Sequence, residues 1–173
     1  MIPNLLWTAL FLIPITIFCY DFMELKLTYS LLGVSLVPLF FPNSFFDRIQ
    51  LSGKTRFYKR IGVKIINTFA QHGTIVNKII EKRYPGFKAI YKTNASIKKQ
   101  YYQTYFYEKF HFSLFVFFTM VTIYASIQKQ FLWVLILIIC NVLYNIYPNL
   151  LQQYIRIKLR PAVATKSSRE AKR

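Results

Sequence analysis

Glu108 and His111 stand three residues apart, a spacing that on a helix puts a carboxylate and an imidazole on one face. A carboxylate so placed fixes the imidazole tautomer and raises its basicity, as a general base and its orienter require. The same spacing also suits a wet, interfacial pair that anchors a helix end. Downstream, Asn141, Asn145, Asn149, Gln152 or Gln153, Arg156 and Arg160 recur every three or four residues, with Pro148 interrupting. Polar groups at membrane depth need partners and face a bundle interior or a cavity. Asn145, Asn149 and Gln152 are candidates for contacts to an oxyanion or an acceptor. Arg56, Lys59, Arg60 and Arg156 are candidates for holding a donor's phosphates, which guanidinium groups grip in bidentate fashion. His72, directly before Gly73, is a further catalytic candidate, or else a loop histidine beside a glycine that closes a helix. The chain has no Gly-rich phosphate loop, no Cys/His cluster and no recognisable nucleophile motif. Neither a metal nor a tightly bound cofactor is expected. Cys19 and Cys140 sit in apolar runs and read as packing thiols.

Four apolar runs must position these residues: Ile2–Tyr20, Leu25–Phe41, Phe110–Ile127 and Phe131–Tyr147. Asp21–Glu24 joins the first two and Gln128–Gln130 the last two. Each run is near the short end for a core of ~30 Å at about 1.5 Å per residue. The fold expected is an all-α integral membrane protein built of two transmembrane helical hairpins. Residues 1–42 form the first hairpin, 43–109 a basic amphipathic cytoplasmic segment, 110–150 the second hairpin and 151–173 a basic tail. The first pair also fits a re-entrant hairpin. Within the second hairpin the helices run antiparallel, so Glu108 and His111 are expected at the depth of Asn145–Arg156, at a wet membrane edge.

The 173 residues carry a net charge of +17, yet 54% are hydrophobic. Of the 23 Lys and Arg, all but Lys26 and Lys129 fall within 43–109 or 151–173. Cytoplasmic loops keep such residues, so both stretches and both termini are placed in the cytoplasm of a multi-pass cell-membrane protein. Membrane-length apolar runs argue against nucleic acid as the partner of this charge. Helical periodicity marks Arg56–Phe69, with further helices at Thr74–Lys82 and Thr93–Tyr107 and a stop at Tyr84, Pro85 and Gly86. The polar tail Pro161–Arg173 reads as disordered.

The stretch from Asn145 to Lys158 contains Asn145, six residues, Gln152, a residue, Tyr154, a residue, Arg156. This pattern resembles the C-terminal part of the glycosyl-diaponeurosporenoate acyltransferases, small membrane enzymes of glycosylated carotenoids. Glu108 and His111 look like the Glu-x-x-His that opens the preceding span in that family, and Arg56–Lys64 is similar to its basic aromatic helix. The resemblance covers roughly residues 56–160. It implies transfer of a fatty acyl group from a thioester of the acyl-CoA type, a co-substrate, to a hydroxyl on a lipid or glycoside acceptor. Read without it, the same residues also fit a non-catalytic module whose basic face grips anionic membrane lipid, or a different membrane transferase.

Overall fold

The computed structural model describes residues 2–63 and 94–170, and every element in them is helical. The helices are α1 (Ile2–Phe22), α2 (Leu25–Ser35), α3 (Asn43–Arg48), α4 (Thr55–Arg60), α5 (Asn94–Ile127), α6 (Phe131–Asn141) and α7 (Tyr147–Glu170). A 3₁₀ turn, Val37–Phe40, follows α2, and a π-helical turn, Val142–Ile146, links α6 to α7. His72, the expected helix Thr74–Lys82 and the stop after it lie outside the described residues. The chain forms two compact units. One is Met1–Pro42 with Lys109–Asn149, the other Asn43–Glu108 with Leu150–Arg173.

The first unit has an apolar core. Phe11, Ile15 and Phe18 of α1 meet Phe117, Phe118, Val121 and Ala125 of α5, together with Leu137, Cys140 and Tyr144. The α5 residues recur at three and four positions, the spacing that gathers one helix face. The Phe18 ring lies 5.2 Å from Phe22 and 5.6 Å from Trp133. Outside this core, Leu10, Ile13, Ile17, Leu132, Leu135, Ile138 and Ile139 remain exposed. An apolar exterior over an apolar core suits hydrocarbon rather than water. Two helices, Ile97–Ile127 and Phe131–Ala164, are long and apolar enough to cross a membrane, while Thr8–Phe22 and Leu25–Phe40 are apolar but shorter. Between α5 and α6 the amide of Gln130 donates to the Ala125 carbonyl and that of Lys129 to Ser126, both at 3.0 Å. This is a Schellman closure, and Lys129 takes the left-handed position with φ 58°.

The second unit departs from the sequence reading in two places. The helix expected over Arg56–Phe69 is interrupted in its described part, residues 56–63, the rest lying outside the described residues: α4 ends at Arg60, and Gly62 adopts φ 83°. Glycine enters that region without a Cβ clash, so it terminates a helix that periodicity alone would continue. The tail expected to be disordered is instead helical, since α7 runs through Pro161 to Glu170. Ala162 and Ala164, strong helix formers, follow the proline.

Candidate active site

In the second unit a polar network is built around Arg156 of α7, which is 0% exposed. Its guanidinium forms an ion pair with Glu108 of α5, itself 1% exposed, through Nη1. Nη2 donates to the Phe46 carbonyl at 3.2 Å, and Nε lies 3.5 Å from Asp47 Oδ1. The Tyr105 ring stands beneath the guanidinium, 4.4 Å from its carbon, a cation–π contact. The Tyr105 hydroxyl donates to the Asp47 carboxylate at 2.9 Å, and Arg160 Nη2 reaches Asp47 at 3.4 Å. Gln153 completes the ring: Nε2 donates to Glu108 Oε1 at 2.8 Å, and Oε1 accepts from the Tyr58 hydroxyl at 2.9 Å. Burial raises the pKa of Tyr58 above the ordinary phenol value, which keeps the hydroxyl neutral and able to donate.

The first unit holds a different set. His111 of α5 is half-buried, and its Nδ1 is buried without a hydrogen-bond partner. The Tyr144 ring packs edge-on against the imidazole at 5.7 Å, and the Asn145 side chain and the Tyr144 carbonyl are its polar neighbours. Pro148 has no N–H to give the carbonyl four residues before it, which is that of Tyr144. Asn145, 0% exposed, sits in the π-helical turn and donates from Nδ2 to Asn141 Oδ1 at 2.9 Å. Asn141 in turn donates to Thr119 Oγ1 at 3.2 Å. The Oδ1 atoms of Asn145 and Asn149 are buried without partners, as is the Ser113 hydroxyl. Leaving such a group unmet costs about 1–3 kcal/mol. Ser113 contrasts with Thr119, Thr122 and Ser126 on the same helix, whose hydroxyls all bond the carbonyl four residues back. π turns recur at functional sites, and here one carries the asparagine beside the histidine.

The sequence candidates therefore fall into separate surroundings. Glu108 is not at a wet edge but buried, and its carboxylate is taken by Arg156 and Gln153. No hydrogen bond reaches His111 Nδ1, so the orienting bond expected there is absent at that nitrogen. Arg156 was expected to hold a donor phosphate. Its guanidinium is instead wholly buried and committed to protein partners. Arg56, Lys59 and Arg60 do lie exposed together on α4. Of the two glutamines the stripe left open, Gln153 enters the network, and Gln152 is half-buried beside it.

Asp47, Tyr58, Tyr105 and Ser113 were not singled out. Asp47 had a signal, being one of only six acids among 23 basic residues. The tyrosines had none, since the chain has 13 of them.

Residues 42–165 match the family model for glycosyl-4,4'-diaponeurosporenoate acyltransferase. No curated protein and no solved structure matches the chain. The match takes in α3, α4, α5, α6, the π turn and most of α7, with His111, the asparagines and the buried ion pair among them. This chain belongs to the glycosyl-4,4'-diaponeurosporenoate acyltransferase family.

Proposed function

We propose that the protein is an integral membrane O-acyltransferase that moves a fatty acyl group from a thioester donor of the acyl-CoA type to a hydroxyl of a glycosylated carotenoid or related glycolipid. Family membership supports the reaction class. The observation that carries the site is His111, half-buried among apolar helices with Nδ1 unpartnered. The Tyr144 carbonyl and the Asn145 side chain beside the imidazole can hold its N–H on one nitrogen, which leaves the other to accept a substrate's proton.

In this reading the acceptor hydroxyl oxygen attacks the thioester carbonyl carbon while His111 takes its proton. The tetrahedral intermediate then collapses, the C–S bond breaks, and His111 returns the proton to the departing thiolate. Positioned general-base help contributes about 10²–10⁴-fold. Asn145 Nδ2 gives one N–H to Asn141 and has a second for the developing oxyanion. Arg56, Lys59 and Arg60 on α4 supply cations for donor phosphates. Glu108 and Arg156 act as a buried clasp in the second unit, and Gln152 and His72 remain candidates for acceptor contact and for a second base. The chain crosses the membrane as two hairpins, residues 1–42 and 110–150, with the basic segments 43–109 and 151–173 in the cytoplasm.

The experiment is acyl transfer by purified His111→Ala protein in lipid. Turnover is expected to fall at least about 100-fold, the lower end of what a general base supplies, with donor KM unchanged. Transfer at the wild-type rate removes His111 from the mechanism.

A further inference from the structure

The unpartnered polar atoms of the first unit share one chemical character. Asn145 Oδ1 and Asn149 Oδ1 are obligate acceptors, and both are buried without a donor. They stand four residues apart, one turn along the helix, and the Asn145 side chain borders His111, whose Nδ1 also lacks a partner. The Tyr144 carbonyl beside the imidazole is a further acceptor. Asn145 Nδ2 gives one N–H to Asn141 and keeps the other for the oxyanion. The atoms left unmet on the two asparagines are both acceptors, so what they call for is hydrogen-bond donors. Phosphates and carboxylates bring only acceptors and negative charge, and leave both amide oxygens unmet. A group with several neighbouring hydroxyls brings the donors.

We propose that Asn145 Oδ1 and Asn149 Oδ1 form the subsite that holds the sugar of the acceptor, each accepting a hydrogen bond from a sugar hydroxyl while a third hydroxyl faces His111. The proposal rests on the acyltransferase reading for the last of these contacts only. Of the two roles the sequence leaves open for Asn149, contact to an oxyanion or to the acceptor, it takes the second, and it assigns the donor's phosphates to another place. The reacting hydroxyl is then selected by geometry: two sugar hydroxyls are occupied as donors to amide oxygens, and the one that meets the imidazole is acylated.

The test uses the full chain in lipid nanodiscs with a long-chain alkyl glucoside, its monodeoxy analogues and an alkyl phosphate. Direct binding is measured separately from acyl transfer. Asn149→Leu should weaken glucoside binding by about 3- to 10-fold, the worth of one neutral hydrogen bond, and raise the acceptor KM equally with donor KM unchanged. One monodeoxy glucoside should bind wild type as weakly as the parent binds Asn149→Leu, and should lose nothing further on that variant. Asn149→Asp keeps an acceptor oxygen and should retain discrimination among the analogues. Alkyl phosphate should not compete. Unchanged glucoside binding by Asn149→Leu, or an equal loss for every analogue, overturns the subsite, as does competition by the phosphate. Weakened binding in a protein that transfers no acyl group sustains the subsite while removing the acyltransferase reading.

Discussion

A buried guanidinium persists only where its charge is answered, and Arg156 shows what answering it requires. Glu108 neutralises it, Phe46 and Tyr105 surround it, and half-exposed Asp47 adds a weaker partner from the rim. Removing one partner leaves a stranded charge, whereas removing both with shape retained leaves an ordinary core. Glu108→Gln should therefore destabilise the protein by about 3–5 kcal/mol, and adding Arg156→Met should recover much of that loss. Denaturant unfolding of the single and double variants checks this. If the single variant matched wild type, Asp47 alone would suffice as counter-charge. Spacing marked Glu108 and Arg156 as residues of interest, because recurrence at three and four positions reports a shared helix face. It could not report what lies opposite that face, so Glu108 was matched with its neighbour in sequence rather than with a residue 48 positions away. The same blindness favours Gln152 as the site residue of the stripe, whereas Gln153 is the glutamine that lies between Glu108 and Tyr58.

The elements were legible where apolar length decides and illegible where one backbone angle does. The turn at Gln128–Gln130 was read correctly, yet nothing in the sequence says that Lys129 takes a left-handed conformation costing an L-residue about 1–2 kcal/mol. Lys129→Gly should raise stability by up to about 1 kcal/mol, once the greater freedom of glycine in the unfolded chain is subtracted. A higher thermal midpoint with unaltered transfer activity is the expected result. Gly62 is the converse case. At φ 83°, Gly62→Ala should cost about 1–2 kcal/mol and loosen the end of α4. Apolar residues recur at helical spacing from Phe57, but periodicity carries no information about where a glycine will turn the chain. In α7, composition misled in the other direction: a polar stretch with a proline read as disordered, although its alanines propagate a helix already begun.

At the scale of the whole molecule, the segregation of charge from apolar runs was enough to read a helical membrane protein, and two helices of spanning length are present among the described residues. The division into one apolar unit and one held by an ionic network was not legible, because it depends on which distant residues meet. That network has a bearing on insertion. Glu108 and Arg156 touch, so in the membrane arrangement proposed above they lie on one side of the bilayer, and the chain from 109 to 155 would cross it an even number of times. This is a statement of parity. It needs no charge rule and holds whichever side is inside. Two crossings satisfy it, as does a hairpin that enters and returns, but one or three do not. Accessibility tags at Ser52 and Lys158, both in the second unit, must therefore give matching answers in intact cells. If one is labelled from outside while the other is protected, the ion pair cannot exist in the inserted protein.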